Sequence, residues 1–93
     1  MKIGEWQTLI RDIYHAKDVR RGVPETFMWF AEEVGEVSRA LRGKDNANLE
    51  EELADCLAWL TTLASLAGVD LERAARARYG AGCPYCAATP CAC

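Results

Sequence analysis

Apolar positions recur along this chain at helical spacing. Ile3, Trp6, Leu9, Ile10, Ile13 and Tyr14 share one face if residues 2–16 form a helix, and neither Gly nor Pro interrupts from Glu5 onward. A basic segment, K-D-V-R-R-G at 17–22, follows and ends in Gly22. Pro24 suits the first turn of a second helix, where its missing N–H costs nothing. That helix is predicted to run to about Arg42, with Gly43 as its C-cap and K-D-N-A-N as a polar loop. A third helix is predicted from near Asn48 to about Ala67. Asn48 would be the N-cap, Glu51 the N3 residue of a capping-box variant, and Gly68 the stop. Asp70 is a suitable N-cap for a short fourth helix through Tyr79, closed by Gly80. No stretch alternates as a strand would, and there is no internal repeat. The expected fold class is all-α, a small helical bundle of about four helices. Residues 1–80 form the domain and 81–93 a short Cys-rich tail.

The polar pattern within the bundle is uneven. Of 14 acidic residues, eight fall between Glu32 and Asp55. Glu33 with Glu36, and Glu52 with Asp55, are i, i+3 pairs, so each pair lies on one helical face. Phe27, Phe30, Ala31, Val34, Val37 and Leu41 make an apolar stripe on the second helix. Leu49, Leu53, Leu57, Leu60 and Ala64 make the matching stripe on the third. The carboxylate pairs run beside these stripes, framed by Trp29 and Ala40 on one helix and by Trp59 and Leu66 on the other. A solvated acidic face would be framed by polar residues instead. Carboxylates half-buried beside an apolar stripe need a cation or hydrogen bonds. Oxygen-only ligands favour Mg²⁺ or Mn²⁺ over Zn²⁺. The only histidine, His15, lies in neither pair, which disfavours a Glu-x-x-His di-iron site.

Composition narrows the class. The 93 residues suffice for one domain, and the 51% hydrophobic content is high for so short a chain. That surplus points to burial against another subunit. The net charge of −3 gives no reason to expect nucleic-acid binding. No uncharged apolar run approaches ~18 residues, so no membrane span is expected. Glu5, Arg11 and Asp12 make the N-terminus unlike a signal peptide, and a cytoplasmic protein is expected.

E-E-V-G-E at 32–36, a 15-residue gap and E-L-A-D at 52–55 resemble the E-E-x-x-E…E-x-x-D pattern of MazG-type nucleotide pyrophosphohydrolases, of the all-α NTP pyrophosphatase superfamily. The resemblance spans roughly residues 3–79 and includes W-L-T-T-L-A-S-L-A-G-V-D-L-E after the second motif. It implies Mg²⁺-dependent hydrolysis of a nucleoside triphosphate to a monophosphate and pyrophosphate, as in house-cleaning of noncanonical nucleotides. Glu33, Glu36, Glu52 and Asp55 would carry over as Mg²⁺ ligands, with Glu32 or Glu33 orienting the attacking water. Lys17, Arg20, Arg21, Lys44, Arg73, Arg76 and Arg78 are the cations available for phosphates. Family members often carry a Lys and an aromatic residue near the end of the last helix, where this chain has Arg78 and Tyr79. Trp6, Gln7 and Trp29 are candidates for a base pocket.

Cys83, Cys86, Cys91 and Cys93 lie as C-x₂-C-x₄-C-x-C, with Pro84 and Pro90 bending the chain among them. Clustered cysteines in an intracellular chain signal metal more often than disulfides. The leading reading is a structural Zn²⁺ knuckle, with ligands from one chain or shared between subunits. Disulfides and free thiols are the alternatives. Cys56 sits near the core stripe and reads as a buried thiol. A non-catalytic helical dimer whose zinc knuckle binds a partner protein is the competing function.

Overall fold

A single glycine separates the first two helices. In the computed structural model, which describes residues 1–93, α1 spans Ile3–Arg21 and α2 spans Val23–Gly43, while α3 spans Asn46–Leu66 and α4 spans Leu71–Tyr79. Gly22 has φ +82°, a value that favours glycine, and its N–H closes α1 on the Asp18 carbonyl at 2.9 Å. The basic segment therefore belongs to α1. Lys17 to Arg21 continue the helix because Asp18 turns inward and is buried.

The second connection is also shorter than the sequence suggests. Lys44, not Gly43, is the left-handed residue after α2, at φ 55°. Lys44 N–H bonds to the Leu41 carbonyl and Asp45 N–H to the Ala40 carbonyl, both at 3.3 Å, which is a Schellman ending. Asp45 then caps α3 by accepting the Asn48 N–H at 3.1 Å. The cap is therefore Asp45 rather than Asn48, because a carboxylate was available three residues before Asn48's own N–H. Gly68 (φ +74°) ends α3 with the same bond pattern, through Gly68 to Ser65 and Val69 to Ala64. Asp70 caps α4 through the Arg73 N–H at 3.1 Å, as the sequence predicts.

The tight α2–α3 turn makes those two long helices antiparallel neighbours. The chief packing is α2 on α3, with α1 laid against α3 and α4 against α1. Apart from Ala64, the apolar stripes do not form this core. Val34, Leu41, Leu53 and Leu57 remain exposed, and among hydrophobic residues only Ile10, Ala40 and Ala64 are buried. Gln7, Asp18, Thr26, Thr61 and Thr62 fill the rest of the interior. The faces of α2 and α3 that meet are the carboxylate strips, about a quarter-turn from the stripes. No single helix is long and apolar enough to cross a membrane.

Candidate active site

The contact between α2 and α3 is built from Thr26, Glu33 and Ala40 on one side and Glu52, Cys56 and Trp59 on the other, all buried or half-buried. Trp29 and Trp59 stack across it, with ring centroids 6.2 Å apart and planes 13° from parallel. Beside this stack, carboxylate oxygens of Glu33, Glu52 and Asp55 lie within 4.8 Å of one another. Glu36 adjoins the trio and approaches Arg39 at 3.7 Å.

The neighbouring carboxylates oppose the ionisation of Glu33. Glu33 is raised from 4.5 to about 7, first by burial, then by a hydrogen bond with Glu52 and by the charges of Glu52, Asp55 and Glu36. Its Oε2 is buried with no hydrogen-bond partner. A buried acceptor without a donor, facing two further carboxylates, is the donor set a hard divalent cation requires. The residues present therefore fit Mg²⁺ or Mn²⁺. Cys56 does not sit in an apolar stripe. It faces the same acids, and burial followed by the charges of Glu33, Glu52 and Asp55 pushes its thiol up, keeping it neutral.

A cavity of about 210 Å³ opens next to Asp55, lined by Tyr14, Lys17, Asp18, Arg21, Trp59 and Thr62 among others. Arg21 is held on several sides. It pairs with buried Asp18, donates Nε–H to Thr26 Oγ1 at 3.0 Å, and lies 4.6 Å from the Trp59 ring centre. Thr62 Oγ1 donates to Asp18 Oδ2 at 3.2 Å, which ties the pair to α3. A fixed guanidinium and a free lysine thus stand beside the carboxylates.

Other predicted site residues lie elsewhere. Trp6 Nε1–H donates to Thr61 Oγ1 at 2.8 Å. The Gln7 side chain donates to Ser65 Oγ and the Val69 carbonyl and accepts the Leu71 N–H. Both tie α1 to α3 and its turn into α4, and neither lines the cavity. Both Gln7 amide hydrogens are already engaged. Trp59 and Tyr14 line that cavity instead; the position of Trp59 four residues after Asp55 was the available signal. Arg78 engages Tyr85, and Tyr79 is exposed. Glu32 is exposed on α2, outside the acidic trio.

The tail brings a second ligand set together. The sulfurs of Cys83, Cys86, Cys91 and Cys93 lie within 4.8 Å of one another, all from one chain. The backbone amides of Tyr85 and Cys86 pull the Cys83 thiol down, and those of Ala92 and Ala88 bring Cys86 to about 6. Hydrogen bonds from its neighbours' thiols push Cys93 up. A Cys₄ set of this kind is compatible with zinc.

An acidic cluster thus lies between two helices, beside a cavity lined by Lys17 and Arg21. The family model of the MazG nucleotide pyrophosphohydrolase domain matches residues 23–79. That is more than half of the chain, and the chain belongs to the MazG family. Membership implies a hydrolase acting on nucleotides. The match begins at α2, so α1, with Lys17 and Arg21, lies outside it. No curated protein matches the chain.

Proposed function

We propose that this chain hydrolyses a nucleoside triphosphate between its α- and β-phosphates, releasing a monophosphate and pyrophosphate. The observation that carries this reading is the convergence of Glu33, Glu52 and Asp55, with Glu33 Oε2 unpartnered, next to a cavity that holds Lys17 and Arg21. Glu33, Glu52 and Asp55 would hold Mg²⁺ or Mn²⁺, with Glu36 alongside. A cation bound there offsets charge on phosphate oxygens and makes water more acidic.

The chain's own groups supply the rest. Lys17 and Arg21 offset phosphate charge at the cavity wall. Asp18 and Thr26 keep Arg21 from collapsing onto the carboxylates. Trp59 and Tyr14 offer flat apolar surface to the nucleoside. Glu33, which belongs to the trio and to the α2–α3 contact, is the group we assign to orient the attacking water. Glu32 is exposed and reaches the reaction only by orienting water from outside the trio. Noncanonical nucleotides are the proposed substrates and the cytoplasm the proposed location, which suits a chain with five unpaired cysteines. A homodimer or homotetramer is the proposed assembly. The tail thiols take no part in this reaction.

The test is a panel of NTPs and dNTPs incubated with Mg²⁺, with pyrophosphate and monophosphate measured together. Release is expected from at least one of them. Glu52→Gln and Asp55→Asn are each expected to reduce it at least 100-fold, typical of removing a group that acts in the transition state. No release from any nucleotide, or undiminished release by both variants, would sink the proposal.

A further inference from the structure

The tail has no core of its own. No residue from 81 to 93 is buried, and the backbone bonds that shape the tail are few: Gly82 to Tyr79, Cys83 to Ala88 and Ala87 to Cys83. Apolar burial therefore does not account for its shape. What the fold does bring together is sulfur.

We propose that Cys83, Cys86, Cys91 and Cys93 bind one Zn²⁺ as a closed structural site, and that this ion docks residues 82–93 on the C-terminal end of α4 through Tyr85. The first support is spacing. Four sulfurs at about 2.3 Å from a central zinc define a tetrahedron with edges of about 3.8 Å. Cys83 and Cys93 sulfurs are 3.8 Å apart, and Cys83 and Cys91 sulfurs 3.5 Å. Two disulfides would instead draw the sulfurs into separate pairs at about 2.05 Å and need no meeting of all four.

The backbone around the sulfurs is arranged for thiolates. The Ala92 N–H points to Cys86 Sγ at 3.3 Å, the type of outer contact that steadies a metal-bound thiolate. The loop is wound tightly enough to exclude a side chain at its start. Gly82 has φ +111°, and a Cβ there would sit 2.9 Å from the Ala87 carbonyl oxygen and from Thr89 Oγ1. All four positions of the ion are filled by protein, so nothing is left open for water or substrate. Soft thiolates select zinc, while the carboxylates of the helical site select a hard cation. The two sites therefore load independently.

Four thiolates around Zn²⁺ carry a net charge of −2, and the last turn of α4 carries Arg76 and Arg78, of which Arg78 meets the tail. Tyr85, inside the Cys83–Cys86 loop, makes the link. Its hydroxyl accepts from Arg78 Nη2 at 3.2 Å, and its ring centre lies 5.2 Å from the Arg78 guanidinium carbon.

The experiment uses the full chain purified under reducing conditions, with metal content measured by mass spectrometry and the apo form titrated with Co²⁺. One zinc per chain is expected, together with the visible bands of tetrahedral cobalt thiolate. Cys86→Ser and Cys91→Ser are expected to lose both signals, whereas Glu52→Gln and Asp55→Asn keep them. Tyr85→Ala is expected to retain zinc while exposing the tail to limited proteolysis at least tenfold faster. Iron in place of zinc, intact thiols with no bound metal, two disulfides in the reduced preparation, or zinc lost with the carboxylates overturns the site. A Tyr85→Ala tail as protected as the native one overturns the docking. These readouts involve no turnover, so they stand or fall apart from nucleotide hydrolysis.

Discussion

The indole of Trp59 is stacked on Trp29 on one side and approached by the Arg21 guanidinium at 4.6 Å. One side chain thereby joins all three long helices: α2 through Trp29, α1 through Arg21 and α3 by its own position. The stack also fixes the register that sets Glu33 opposite Glu52. Trp59→Ala is expected to lower stability by about 2 kcal/mol, or roughly 10 °C in melting temperature for a domain of this size. Trp59→Phe should recover most of it. Thermal unfolding by circular dichroism measures both, and an unchanged melting temperature in the alanine variant would remove Trp59 from this role.

The acidic trio makes stability depend on pH in an unusual direction. Folded Glu33 keeps its proton to about pH 7, against 4.5 for the ordinary group. Between these values the folded chain binds more protons than the unfolded one, so its stability is full below about pH 4.5 and falls as pH rises through 7. A divalent cation binds the ionised carboxylates and reverses the trend, since it stabilises only the folded state and most strongly once the proton has gone. Melting temperatures from pH 5 to 8.5, with EDTA and with Mg²⁺, should therefore diverge as pH rises. Glu33→Gln should flatten the EDTA curve. Parallel curves would show that the trio holds no cation.

Asp18 acts through Arg21. It is buried, bonded to Thr62 and paired with Arg21, so removing its charge strands a guanidinium in a half-buried setting. Asp18→Asn is expected to cost about 2 kcal/mol of stability. It should also raise KM for the triphosphate several-fold while changing kcat less, because Arg21 would be displaced rather than lost. Arg21→Lys should raise KM similarly with little loss of stability. Steady-state kinetics on whichever nucleotide is turned over separates the two effects, and an unchanged KM in both variants would detach Arg21 from phosphate binding.

Much of this arrangement was legible in the sequence, and what was not has identifiable causes. The four helices, the Asp70 cap, the Gly68 stop and the pairing of E-E-V-G-E with E-L-A-D all follow from periodicity and capping chemistry. The α2–α3 turn was misplaced because Lys44 adopts a left-handed conformation that glycine usually supplies, and Gly43 drew the assignment instead. The outward stripes were misassigned as core because a helical wheel gives angles between faces but not which face meets which neighbour. Gln7 was invisible as a structural residue, since its three partners are 58 to 64 positions away along the chain. Lys17 and Arg21 could be named only as members of a pool of cations; the cavity selects them by uniting α1 with α3.

The outward stripes carry the last expectation. In an antiparallel pair meeting through Glu33 and Glu52, stripes a quarter-turn away on each helix fall on the same side of the hairpin. Val34 and Leu41 thus share a face with Leu53 and Leu57, all exposed, and α1 lies against α3 through Thr61 and Thr62. The chain exposes 6824 Å², where a folded monomer of its mass exposes about 5,400 Å². The excess of roughly 1,400 Å² exceeds the ~800 Å² that each partner contributes to a standard interface. The protein is therefore expected to be a dimer or larger at micromolar concentration. Light scattering after gel filtration measures this directly. Val34→Glu with Leu57→Glu should yield monomers, because like charges would then meet across the apolar face. A native chain that elutes as a monomer, or a double variant that still assembles, would mean that this face is not the interface.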